Sequence, residues 1–170
     1  MKIVGTWSGH DCSFCILDNG HPVVHAEFER YIREKEPRGD SLKFLMDVYG
    51  GFDAINHIAS CFPKNKLQQH SESYNTMAQI VQKNEGKIFW IGHHQAHAAN
   101  TYFSSNFDDS LILTLDGGGV EDDAGHITAT TIWYGKNNKI NHINTIPISQ
   151  VNIGGLWTRA TRYIFKLQSG

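Results

Sequence analysis

The sequence predicts an α/β fold in which one strand-rich pattern is used twice. Three observations carry this expectation. Short apolar or β-branched runs alternate with turn signals at the start of the chain and again after residue 109. Apolar residues at helical spacing separate the later runs of the first copy. The order strand, turn, strand, hairpin, strand, helix begins at residue 2 and restarts near residue 110.

Residues 2–7 form an apolar run that Ser8-Gly9 breaks, and residues 12–17 form the next. Asp18-Asn19-Gly20 is a strong hairpin signal, after which residues 22–27 return. Residues 29–38 are too charged for a core. Asp40-Ser41 can cap a helix through Leu42, Leu45, Met46 and Tyr49. Residues 56–61 read as a fourth strand, residues 71–84 as a helix, 87–91 as a fifth strand and 95–103 as a helix.

The second copy has an apolar strand over 110–115, then the turn Asp116-Gly117-Gly118-Gly119. A long β-branched strand over 125–134 follows, then a turn at 135–138, a returning strand over 139–146 and a helix over 155–165. A doubled βββαβα unit is the layout of the actin, sugar-kinase and heat-shock ATPase superfold, each half ribonuclease H-like. The expected division is a complete first half, 1–108, and a truncated second half, 109–170. A final strand–helix–strand is then expected to be absent, leaving sheet edge and apolar face uncovered. The chain is thus expected to be a fragment, or to pair with the missing remainder or with a second copy.

Composition narrows the class. With 40% hydrophobic and 19% charged residues the chain is globular, and a net charge of −2 gives no basic footprint for nucleic acid. No apolar run is long enough for a membrane span. Cys12 and Cys15 have Cys-x-x-Cys spacing, but a strand points them to opposite faces, so they read as small buried hydrophobes. Three cysteines and no signal segment point to the cytoplasm.

Ten histidines are the unusual count, and their positions matter more than their number. His93 and His97, in Gly92-His93-His94-Gln95-Ala96-His97, stand four apart at a helix start and share one face. That spacing lets a helix grip a divalent ion with two imidazoles. His94 points elsewhere and reads as a supporting residue. Asp116, at a strand end, can aim a carboxylate at a metal or its water. The glycines Gly117, Gly118 and Gly119 let backbone N–H groups approach and cradle an anion. His10, in the corresponding turn of the first copy, could act as a base on a substrate hydroxyl. Glu29-Arg30, Arg33 and Lys35 supply cations that could receive a phosphate or acyl-adenylate, or form a solvated charged loop.

Together these segments resemble the NodU/CmcH-type carbamoyltransferases, which O-carbamoylate nodulation factors, cephalosporins and aminoglycosides. The likeness rests on His10-Asp11, Asn19-Gly20 and Glu29-Arg30-Tyr31-Ile32-Arg33-Glu34-Lys35 near the N-terminus. It continues with His93-His94-Gln95-Ala96-His97-Ala98-Ala99, Asp116-Gly117-Gly118-Gly119-Val120-Glu121 and Ile153-Gly154-Gly155-Leu156-Trp157…Thr161. Two departures stand out: one extra residue precedes Glu121, and Glu36 occupies a position where the family usually has His.

The resemblance implies a domain similar to the universal tRNA threonylcarbamoyl-transfer enzyme. In full enzymes it works with a YrdC-type domain that makes carbamoyl-adenylate from carbamoyl phosphate and ATP. The resemblance further implies His93, His97 and Asp116 as ligands of iron, or alternatively of manganese or zinc. It implies His10 as the base facing a small-molecule hydroxyl acceptor, and Lys35 as a contact of carbamoyl-adenylate. A further Asp ligand of the family lies beyond Gly170, so the chain alone is expected to be inactive. The competing reading is a non-catalytic nucleotide- or metal-binding subunit of the same fold. A tRNA-modifying relative or a sugar-kinase-like ATPase is disfavoured by the basic block. The acceptor is expected to be set by loops 38–51 and 63–73.

Overall fold

The computed structural model describes residues 1–49, 55–61, 75, 79, 82, 83, 85–122 and 124–167. They form two compact units, Met1–Ile91 and Gly92–Gly170.

The first unit is a five-stranded sheet in the order β3-β2-β1-β4-β5. Strands β1 (Lys2–Trp7), β2 (Ser13–Asp18) and β3 (His21–Glu27) make an antiparallel meander. Strands β4 (Ile55–Ser60) and β5 (Lys87–Trp90) extend it in parallel from β1. The Asp18-Asn19-Gly20 signal becomes the β2–β3 turn. Asn19 and Gly20 take φ of 50° and 84°, as a two-residue mirror-image turn requires.

Strand periodicity sets the core: Val4, Phe14, Ile16 and Ile58 are buried together with Leu42, Phe44 and Leu45 of α2 (Ser41–Tyr49). Asp40 starts α2 as expected, its carboxylate accepting from the Leu42 and Lys43 N–H groups at 2.9 and 3.3 Å. The charged stretch contains one helical turn that periodicity did not announce, α1 (Phe28–Ile32). It buries none of its residues and ends where Arg33 turns left-handed at φ 62°. Of the helix expected over 71–84, Asn75, Gln79, Gln82 and Lys83 are described and are helical. The rest of that helix and the whole of the acceptor loop at 63–73 lie outside the described residues.

The second unit repeats the meander with β6 (Asp109–Val120), β7 (Ile127–Lys136) and β8 (Lys139–Ile146). Helix α3 (His93–Phe103) packs on β6 and β7 through Ala98 and Tyr102, which cluster with Ile112 and Trp133. The boundary of the two units therefore falls in the chain between Ile91 and Gly92. The division expected after residue 108 followed the repeat, whereas packing places α3 with the second sheet. Helix α4 (Ile153–Arg159) continues as a π-helical turn, Ala160–Ile164. Leu111, Leu113 and Leu115 alternate with the buried Ile112 and Thr114 and are exposed.

One expectation is corrected. Asp116-Gly117-Gly118-Gly119 is no turn between strands. It lies inside β6, whose pairing with β7 runs Leu115↔Thr130 and resumes at Gly119↔Thr128. Asp116, Gly117 and Gly118 face only Ala129, a bulge of three residues against one in which Gly118 takes φ 150°. The true turn follows Val120, where Glu121 N–H donates to the His126 carbonyl and Gly125 N–H to that of Asp122. Strand pairing won because Gly119 and Val120 can still pair with β7 beyond the bulge.

Candidate metal centre

The i, i+4 spacing of His93 and His97 is realised at the first turn of α3, where their rings lie 4.6 Å apart. The bulge in β6 turns Asp116 toward them. His93 Nε2 lies 2.6 Å from Asp116 Oδ2, His97 Nε2 3.1 Å from His93 Nε2, and His97 Nε2 3.8 Å from Asp116 Oδ2. All three ligand atoms fall within 4.8 Å of one another.

This donor set fits a divalent ion. In a tetrahedral site with bonds of roughly 2.1 Å, neighbouring ligand atoms stand about 3.4 Å apart, inside the range found here. Two imidazoles and a carboxylate suit iron, manganese or zinc. Three ligands also leave coordination positions for water or substrate. Exposure increases from His93 (18%) through Asp116 (33%) to His97 (53%), so the open side lies toward His97.

Glycines make the approach possible. A Cβ on Gly119 would fall 2.1 and 2.2 Å from Cδ2 and Cγ of His93, so only glycine leaves room for that ring. Gly154, at the start of α4, sits directly on the bulge, where its Cβ would meet the Gly117 nitrogen at 2.3 Å. Asn152 caps α4, accepting from Gly155 N–H at 2.6 Å, and its amide donates to the Gly117 carbonyl at 3.2 Å.

Two of the three candidate donors, Asp116 and His97, have shifted proton affinities. Burial raises the Asp116 carboxyl, but hydrogen bonds from Gly117 N–H and from His93 outweigh it and hold the group below its ordinary range. Burial, then the neighbouring His93, pushes His97 below the ordinary imidazole value, against the opposite pull of Asp116. Both shifts act in the same sense on the metal-free chain. The depressed carboxyl contributes stability that is present above its unfolded value near 4 and is lost as pH falls through its folded value. The depressed imidazole favours folding most when neutral, and that contribution fades as pH falls below about 6.5. Stability of the metal-free chain is expected to fall steadily from about pH 6.5 downward, as read by thermal melts. Metal affinity should fall with it, because protons compete for the same atoms.

The structure brings together four of the expected site positions, His93, His97, Asp116 and Gly119. Gly117 N–H is hydrogen-bonded to Asp116 Oδ1 at 2.6 Å, so the glycine cradle is partly occupied by the strand's own side chain. His10 and Lys35 belong to the first unit. His10 Nδ1 pairs with Asp11 Oδ2 at 2.7 Å, and its carbonyl accepts from the Trp7 indole N–H at 2.6 Å. Lys35 is 85% exposed, with Nζ 3.6 Å from Glu29 Oε1. Arg30 bridges Glu27 and Glu29 at 3.0 and 3.2 Å, so the basic block carries its own counter-charges.

Two residues gain weight that spacing had not given them. His94 is fully buried, with Nδ1 2.9 Å from Thr128 Oγ1 and 3.0 Å from Glu121 Oε1. Glu121 also accepts from the His94 backbone N–H. A glutamate closing a glycine-rich strand was the available signal, but its partner lies 27 residues earlier in the chain.

A family model described as carbamoyltransferase N-terminus matches residues 62–170. A probable carbamoyltransferase HypF of Methanocaldococcus jannaschii is 31% identical over 123 residues, covering 68% of this chain and 16% of that protein. Nodulation protein NolNO of Sinorhizobium fredii is 33% identical over 78 residues, 46% of this chain and 10% of its own. An uncharacterized Synechocystis protein is 34% identical over 79 residues, 46% of this chain and 12% of its own. The chain thus spans less than a fifth of each of these curated relatives. Among solved structures, HypF of T. kodakarensis matches with a TM-score of 0.59 at 17% identity, over 86% of this chain and 19% of that one. YeaZ from Pseudomonas aeruginosa matches with 0.50 at 9% identity, over 90% and 72%. At such identities these likenesses speak for the fold alone, the actin-like, ribonuclease H-like one that the repeat predicted.

Proposed function

The chain belongs to the carbamoyltransferase N-terminus family, and from that premise we propose that it forms the carbamoyl-transfer site of an O-carbamoyltransferase. The observation that carries this reading is the convergence of His93, His97 and Asp116 on one point. In the proposed reaction a small-molecule hydroxyl attacks the carbamoyl carbon of carbamoyl-adenylate. The new C–O bond forms, the bond to the phosphate oxygen breaks, and AMP leaves. Carbamoyl-adenylate itself would come from carbamoyl phosphate and ATP.

His93, His97 and Asp116 would hold iron, or manganese or zinc in its place. A divalent ion there would supply Lewis-acid polarisation of a carbamoyl or phosphoryl oxygen. Asp116 would stay ionised through its hydrogen bonds from Gly117 and His93. His10 would take the hydroxyl proton on Nε2, since Asp11 engages Nδ1 and fixes the ring, as a carboxylate orients a basic imidazole elsewhere. Lys35 would contact the adenylate phosphate, exchanging its partner Glu29 for the ligand. The backbone of Gly117, Gly118 and Gly119 would line the phosphate side. No nucleic-acid or membrane partner is proposed; no described helix is long and apolar enough to cross a membrane.

The reading is tested by calorimetric titration of the chain with 5′-O-sulfamoyladenosine, an unreactive stand-in for carbamoyl-adenylate, with and without Mn²⁺. Binding that requires Mn²⁺ and disappears in Asp116→Asn is expected. Binding that ignores both the ion and the substitution, or no binding at all, contradicts it.

A further inference from the structure

We propose that Glu121 is the positioning residue of the metal centre. Its carboxylate, just past the end of β6, holds the first turn of α3 and so fixes where His93 and His97 stand relative to Asp116. The inference rests on the reading of those three residues as metal ligands.

Helix α3 starts at Gly92, which has no side chain to satisfy the first N–H groups of the helix. Gln95 offers its side-chain oxygen to Gly92 N–H at 3.4 Å, a long contact. The cap comes instead from another element: Glu121 Oε1 accepts from the His94 N–H. A negative group at this end also meets the favourable end of the helix dipole. The fit is close, since a Cβ on Gly92 would fall 2.1 Å from Glu121 Oε2. Glycine is needed there for the carboxylate to reach the amide.

The same oxygen lies 3.0 Å from His94 Nδ1, and Thr128 Oγ1 lies 2.9 Å from it. His94 is fully buried, and both its amide and its ring are held by groups from β7 and the end of β6. It directly follows one ligand and precedes the other by a turn. Rotating α3 about its axis, or sliding it along β6, would displace His93 and His97 only at the cost of these contacts at His94. Residues five apart, Asp116 and Glu121, therefore tie β6 to α3 at His93 and at His94.

The test compares Glu121→Ala and Glu121→Gln with the parent chain by Mn²⁺ calorimetry, thermal unfolding and amide hydrogen exchange. Glu121→Ala is expected to bind Mn²⁺ about ten- to a hundredfold more weakly while still folded at the titration temperature, with faster exchange of the His94 amide. Glu121→Gln keeps an oxygen acceptor for that amide and is expected to recover most of the affinity. If Glu121→Ala does not fold, Glu121→Gln decides alone: retained affinity supports the inference and lost affinity overturns it. Parental affinity in Glu121→Ala overturns it. So does equal loss in both variants, which would make Glu121 a ligand. If the parent chain binds no Mn²⁺, the ligand reading fails separately. Exchange then decides: faster exchange in Glu121→Ala supports the positioning role, and unchanged protection of the His94 amide overturns it.

Discussion

The double substitution His93→Ala/His97→Ala is expected to lower divalent-metal affinity on the order of 10⁴-fold. Four-ligand zinc sites bind with about 10–16 kcal/mol, or roughly 3 kcal/mol per ligand, so losing two ligands removes about 6 kcal/mol, near four decades. Asp116 alone, a third exposed, cannot replace them. The metal-free fold should hardly notice. His97 is more than half exposed, and the His93–Asp116 contact is only partly buried, so its loss costs no more than about 1 kcal/mol. Calorimetry against thermal melts of the metal-free chain separates the two quantities. Loss of binding with an unchanged melt is the signature of ligands, whereas a collapsed melt would mark a structural pair.

Gly154→Ala carries the largest expected structural effect. The added Cβ would lie 2.3 and 2.5 Å from N and Cα of Gly117 and 2.7 Å from the carbonyl carbon of Asp116. These are backbone atoms of the bulge, with no rotamer to relieve the overlap, so α4 or the bulge must move. Overpacking of this kind costs about 1–3 kcal/mol and sometimes more, and the upper end applies where backbone meets backbone. Because the displaced segment carries Asp116, metal affinity should fall with stability. Gly155→Ala is the matched control. Its Cβ would meet only the Asn152 side chain, at 2.9 Å, which can turn aside at the expense of a cap. Chemical denaturation should rank Gly154→Ala well below Gly155→Ala.

Much of this was legible in the sequence because it is local. Val4, Phe14 and Ile16 alternate as strand residues must, Asn19-Gly20 demands its turn, and Asp40 caps the helix that follows. The histidine pair follows from helical spacing alone. What escaped is what long-range pairing decides. The Asp116 segment looked like a turn because three glycines after an apolar strand usually end it. Gly119 and Val120 pairing with Thr128 and Ile127 made it a bulge instead. Helix α3 sits with the second sheet because Ala98 and Tyr102 find Ile112 and Trp133 there. No periodicity marks that choice. Glu121 gave only a displaced motif position, and its role appears once the chain brings it to the amide of His94. Gly92, Gly119 and Gly154 are likewise silent as letters. Each is defined by the atom a side chain would strike.

If His93, His97 and Asp116 hold one divalent ion, an anomalous difference map from a crystal of the Zn²⁺-loaded chain will show one strong peak about 2.0–2.2 Å from His93 Nε2, His97 Nε2 and a carboxylate oxygen of Asp116. A peak coordinated elsewhere, or none between these three side chains, would contradict that reading.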